Sequence, residues 1–236
     1  MQERIDRYVV DLRRERKRLV RLLPDDPNSL RFHGTSSRNL PQINQYRAVL
    51  APSDLRRRNA FVIRTSRGRY DVPRSRDVRD STVSVTSDLR TALRYARDDR
   101  VESLWKQVED LEDNRSLLRF QLSDPMWPNT HAYSQWQEFL NALRPDLHRY
   151  ASIPHYPVIV AVPAFDAPHI KSVDPKARAE QDEQVLVQIP AHRAVFFVPA
   201  KNLWHARKLA PRLAHRIFPL ELLIEYLERK GKKVWD

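Results

Sequence analysis

Apolar positions along the chain recur in short blocks, some with a helical period and some with the period of a strand. Over residues 3–23, Ile5, Val9, Leu12, Leu19, Val20 and Leu23 mark one side of a helix whose middle is interrupted by arginines. The run Pro24-Asp25-Asp26-Pro27-Asn28 ends it with turn chemistry. Residues 30–33 read as a short strand, and 38–46 as a helix with Leu40 and Ile43 at i and i+3. Residues 52–80 are polar and arginine-rich, with little pattern beyond a strand-like run at 60–64, and read as a loop.

The alternation Val83-Ser84-Val85-Thr86 suits a strand with one buried face. A helix over 88–99 follows, with Leu89, Ala92, Leu93 and Ala96 on one side. Helices are expected at 104–111 and 133–143, with a strand at 116–122. Val158-Ile159-Val160-Ala161-Val162 is apolar at every position, the mark of a central strand buried on both faces. Strands at 170–173, 185–189 and 194–198 and helices at 203–217 and 220–229 complete the series. Pro219 stands near the start of the last helix, where a missing N–H costs nothing. The pattern predicts an α+β fold, a single domain over 1–236. It has a basic N-terminal helix (1–25), a core (30–199) and a C-terminal helical extension (200–236).

Composition narrows the class. Hydrophobic residues make up 41% and charged residues 31%, a globular balance. The longest apolar stretches, 157–165 and 194–200, fall short of the ~20 residues of a membrane span. The N-terminus lacks an apolar stretch followed by a small-residue cleavage site. A soluble, cytoplasmic protein with no membrane partner is expected. The absence of cysteine excludes thiolate zinc clusters, disulfides and cysteine nucleophiles. No histidine pair has HExxH-like spacing, so no metal is expected.

Charge adds a partner. Lys and Arg number 42 against 30 Asp and Glu, a net +12. Eight basic side chains lie in 4–21, nine arginines in 56–79 and nine Lys or Arg in 201–233, while 98–113 is acidic. Clustered arginine points to a polyanion, nucleic acid first, or to a solvated surface; both readings stand at this stage.

Three segments carry candidate chemistry. With only three glycines in the chain, Gly34 in Phe32-His33-Gly34-Thr35 suggests a close approach of the backbone to a ligand, with His33 beside it. Ser84 is a hydroxyl between two valines. Ser87 or Asp88 suits a helix cap. Glu180-Gln181-Asp182-Glu183 places three carboxylates and an amide where a loop becomes a strand.

In this order the three segments resemble the ADP-ribosyltransferase superfamily. His33-Gly34-Thr35, with Leu40, Ile43 and Leu50-Ala51-Pro52 after it, resembles that superfamily's opening motif. Val83 through Tyr95-Ala96 resembles its middle strand and helix. Gln181-Asp182-Glu183-Gln184-Val185-Leu186 resembles its Q-x-E or E-x-E loop, with Glu180 one register away from the alternative alignment. The spacings are 84 − 33 = 51 and 183 − 84 = 99 residues.

The resemblance covers roughly 30–199. It implies a split, mixed or antiparallel β core flanked by helices, and transfer of ADP-ribose from NAD to a protein or nucleic-acid acceptor with release of nicotinamide. Glu183 is then the catalytic carboxylate, Gln181 faces the acceptor, and Ser84 braces the glutamate or the nicotinamide-side ribose. His33, Gly34 and Thr35 hold the dinucleotide, and Arg31 or Arg38 contacts its phosphates. Histidine-type families carry a tyrosine in the middle strand; Ser84 stands there in this chain, as in the arginine-type families. Aromatic stacking therefore falls to Tyr95 or Tyr70, while Arg67 and Arg69 are candidates for substrate binding.

Besides a structural or packaged protein whose basic surface only neutralises polyanions, two other readings remain open. One is a non-enzymatic basic nucleic-acid-binding protein, supported by the charge and by interleaved aromatics such as Trp204 and Tyr226. The other is an NAD-dependent RNA 2′-phosphotransferase, which shares the His-Gly-Thr opening but lacks the catalytic glutamate.

Overall fold

Five consecutive apolar residues, Val158 to Val162, need neighbours on both faces, and they form the middle of a sheet. The computed structural model describes residues 12–58, 83–97, 148, 151–163, 183–186, 188–232 and 234. A helix, α1, runs through 12–20. It is followed by strand β1 (Leu30–Ser36), helix α2 (Leu40–Tyr46), strand β2 (Ala48–Leu50) and helix α3 (Pro52–Arg57). Next come β3 (Val83–Thr86), α4 (Leu89–Arg97), β4 (Pro157–Pro163), β5 (Glu183–Leu186), β6 (Gln188–Pro190) and β7 (Val195–Val198). The series closes with α5 (Leu203–Leu209), β8 (Ile217–Pro219) and α6 (Leu220–Arg229).

Six strands make a mixed sheet in the order β5-β3-β1-β4-β7-β8, and β2 pairs with β6 in a small second sheet. β1 pairs antiparallel with β4 from Leu30 opposite Pro163 to Ser36 opposite Pro157. β7 and β8 are parallel, Phe196 opposite Ile217. Side chains of a strand alternate between faces, and two apolar layers result. On one face Leu30, Phe32, Ile159, Ala161 and Phe197 pack with Leu89, Ala92, Leu93 and Ala96 of α4, Leu223 and Leu227 of α6, and Leu19 of α1. On the other, Val85, Val158, Val160, Val162 and Phe196 pack with Leu40 and Ile43 of α2, Ile189 of β6 and Ala206 of α5. The fold is thus α+β, a mixed sheet between helical layers.

Several local expectations change. β1 continues past His33 to Ser36 because β4 supplies partners along its whole length, so Gly34 lies inside a strand. A short helix, α3, occupies the start of the loop-like region. The expected strand at 185–189 is two strands in different sheets, β5 starting at Glu183 and β6 at Gln188. In α1, Leu19 is buried while Val20 is 62% exposed, because Glu15 and Leu19, four residues apart, share the inward side. The buried Glu15 carboxylate pairs with Arg18 at 3.1 Å and Arg207 at 2.9 Å.

The C-terminal segment is not wholly helical. Pro211 cannot donate to a continuing α-helix, so α5 stops at Leu209. A 3-10 turn over Pro211–Arg216 leads into β8, which joins the sheet.

The chain divides into two compact units, one of Met1–Ala60, Val78–Asp98 and His155–Asp236, the other of Phe61–Asp77 and Asp99–Pro154. All elements named above belong to the first. The elements expected at 60–64, 104–111, 116–122, 133–143 and 170–173 lie outside the described residues, as does the part of the N-terminal helix before residue 12. Among the described residues no helix is long and apolar enough to cross a membrane.

Candidate functional site

The three segments singled out in the sequence lie on adjacent strands: His33 on β1, Ser84 on β3, and Glu183 as the first residue of β5. Phe32 is opposite Thr86, and Thr86 is opposite Glu183. With strands ~4.8 Å apart, the backbone at 183 is roughly 10 Å from that at 32, along one line across the sheet.

Among the described residues Phe32–Thr86 is the one register pair joining β1 to β3. One residue further along β1, the His33 imidazole takes over the contact: its Nδ1 is 2.8 Å from the Ser84 carbonyl oxygen. A carbonyl only accepts, so Nδ1 carries the proton. Burial lowers the imidazole pKa below 6.5, and the Ser84 bond only partly opposes it. At neutral pH the ring is therefore uncharged, and Nε2 is left with a lone pair. It has no hydrogen-bond partner among the described residues. A half-buried neutral acceptor of this kind suits a hydroxyl donor, such as a sugar hydroxyl, better than an anion.

Ser84 meets His33 through its backbone. Its neighbours Val83 and Val85 point into the layer of α2 and β6, so by alternation the Ser84 side chain leaves from the opposite face. Thr86 continues that face, and its hydroxyl accepts from the Asp88 N–H at 3.1 Å. Asp88 caps α4, accepting from the backbone N–H of Arg90 at 3.1 Å and Thr91 at 2.9 Å. Desolvation raises the Asp88 pKa, but the bonds from Thr91 and Arg90 outweigh it and the net shift is downward.

Gly34 fits where α4 crosses β1. A Cβ there would stand 1.8 Å from the Ala92 carbonyl oxygen and 2.9 Å from the Ala96 nitrogen. The close approach that this glycine permits is therefore made by a helix of the same fold.

The structure places the other expected residues as follows. Thr35 is buried and its hydroxyl accepts from Asn39 Nδ2 at 2.8 Å. Arg38 is 6% exposed, in the 3-10 turn Ser37–Asn39. Arg31 donates to the carbonyls of Asn28 at 2.8 Å and Leu30 at 3.1 Å. Tyr95 is half exposed on α4, with the Arg94 guanidinium 5.6 Å from its ring centre. Because α4 covers the Gly34 face of β1, Tyr95 and the His33 imidazole stand on different sides of that strand. Arg67, Arg69, Tyr70, Glu180 and Gln181 lie outside the described residues.

One polar cluster escaped the sequence reading. Ser36, at the end of β1, has its hydroxyl 2.9 Å from His155 Nδ1, and His155 Nε2 is 3.2 Å from the Arg97 carbonyl. Beside it the Tyr156 N–H donates to the Ser37 hydroxyl at 3.0 Å, and the Tyr156 hydroxyl is 3.1 Å from His205 Nδ1. The signal lay in position: His155-Tyr156 immediately precede the central apolar strand, whose antiparallel partner ends at Ser36. Among the described residues no three His, Asp or Glu side chains are grouped to hold a metal ion. Comparison with protein-family models, curated proteins and solved structures gives no match.

Proposed function

We propose that this chain is an ADP-ribosyltransferase that uses NAD as substrate. The observation that carries the reading is the juxtaposition of β1, β3 and β5. Segments 51 and 99 residues apart in sequence come onto adjacent strands, with the backbone of Glu183 on the register line of Thr86 and Phe32. The resemblance in the sequence requires this convergence, and no general feature of an α+β fold demands it.

The chemistry follows from the groups themselves. Heterolysis of the ribosyl–nicotinamide bond sends its electron pair to the ring nitrogen, and nicotinamide leaves neutral. The sugar becomes oxocarbenium-like, and a carboxylate beside it stabilises the developing charge, as in glycoside hydrolysis. Glu183 has that role. The acceptor's nucleophile then bonds the anomeric carbon and gives up a proton. His33 Nε2, neutral and without a partner among the described residues, accepts from a ribose hydroxyl and fixes the dinucleotide against the strands, which provides the orientation term.

The test is incubation with NAD labelled in the ADP-ribose part and a mixture of protein, DNA and RNA. Wild type is expected to release nicotinamide and carry label onto an acceptor. Glu183→Ala should lose about 100-fold or more of that rate, the scale of a lost transition-state charge partner. Equal turnover in the variant removes Glu183 from the chemistry. Turnover only with RNA bearing a 2′-phosphate selects the phosphotransferase reading instead.

A further inference from the structure

We propose that α5 and its flanking turns form a binding surface for single-stranded nucleic acid, with Trp204 as a base-stacking platform. This rests on the outer surface of α5 and is independent of any NAD chemistry. The inward side of the segment is already spent on the core, with Ala206, Ala210 and Leu213 buried. Outward stand Lys201, Trp204, Lys208 and Arg212, all exposed. Trp204 is 74% exposed, more than Val20 and Tyr95, the other exposed large hydrophobic residues among those described. A tryptophan left this far in water adds little to folding, whereas a flat aromatic surface is what an unpaired base stacks on.

Charge completes the surface. Residues 184–220 contain six Lys or Arg and no Asp or Glu. Two carboxylates that meet this segment are committed elsewhere. Glu15 holds Arg207 at 2.9 Å, and Glu221 accepts from the Ala200 N–H at 3.1 Å. Lys201, Lys208 and Arg212 have no carboxylate partner among the described residues. The Lys208 ammonium lies 5.4 Å from the Trp204 ring centre, which leaves the opposite face of the ring for a base. The row from Lys201 to Arg212 spans roughly 16 Å at helical rise, the reach of a few nucleotides. A duplex keeps its base faces stacked internally, so a ring and flanking cations favour a single strand over a double helix.

The experiment is fluorescence anisotropy of the full chain with labelled poly-uridine and poly-thymidine oligonucleotides, a duplex of equal length, and heparin as competitor. Single strands should bind more tightly than the duplex, and the preferred oligonucleotide identifies RNA or DNA as the source. Trp204→Ala should weaken single-strand binding roughly ten-fold or more, Trp204→Phe far less. Replacing Lys201, Lys208 and Arg212 by Gln should flatten the salt dependence by about 2 in logarithmic slope, ~0.7 per cation. Trp204 is exposed, so its variants should unfold at the wild-type temperature, and nicotinamide release should be unchanged by them. Single-strand affinity unaltered in Trp204→Ala, or duplex and heparin binding as tightly as single strands, overturns the assignment.

Discussion

The carbonyl oxygen of Ala92 occupies the space that a side chain at Gly34 would need: a Cβ there would approach it to 1.8 Å. The atoms in the way are helix backbone, including the Ala92 carbonyl carbon at 2.8 Å and the Ala96 nitrogen at 2.9 Å. They cannot yield by a rotamer change; α4 as a whole has to lift off β1. Gly34→Ala should therefore destabilise the fold by about 3 kcal/mol or more, at or beyond the upper end of ordinary overpacking. Urea unfolding of the variant reads this directly, and a midpoint equal to that of wild type would show that the crossing is looser than described.

The half-buried imidazole of His33 gives stability a pH dependence of known sign. The unfolded chain takes up the histidine proton near pH 6.5, and the folded chain does so at lower pH. Between these values the unfolded state binds more protons, so stability falls as the solution is acidified below about pH 6.5. His33→Asn keeps an N–H for the Ser84 carbonyl and does not titrate, so its stability should decline less over the same window. A proton NMR titration of the His33 ring in wild type should give a midpoint below 6.5; a midpoint at or above it contradicts a desolvated, neutral ring.

Much of this arrangement was legible in the sequence because it rests on periodicity. The apolar run at 158–162 becomes the middle strand since only a position between two neighbours buries both faces. The Val83–Val85 alternation gives β3 its single core-facing side. What escaped depends on tertiary partners. Residues 34–36 carry no apolar alternation, yet they are strand because β4 pairs with them. Ile217–Pro219 is too short to show a period, and becomes β8 by lying parallel to β7.

The site divides in the same way. The order of its three segments was visible, but the bond from His33 to a backbone carbonyl was not, because carbonyl positions leave no trace in residue identity. In the sequence, Gly34 suggests room for a ligand. In the structure the occupant of that space is Ala92, which sequence distance alone does not reveal.

Tyr156 offers a second check on the packing near the end of β1. Burial pushes its phenol up to about 12 from an ordinary value of 10. The stability it contributes is complete below pH 10 and is lost as pH rises toward 12, where the unfolded chain ionises first. Tyr156→Phe removes the hydrogen bond with His205 and should cost about 1 kcal/mol at neutral pH. It should also lose less stability than wild type in the alkaline window. Thermal unfolding at neutral pH and between pH 10 and 12, on both proteins, measures the two effects; parallel profiles would contradict the burial of this phenol.

Binding of NAD to the site bordered by β1, β3 and β5 is tested most directly by calorimetric titration of NAD into the wild-type chain and into His33→Ala. Saturable binding to wild type, weakened about ten-fold or more when the Nε2 acceptor is removed, is the predicted result. No binding of NAD to the wild-type chain, or the same affinity in both proteins, would contradict it.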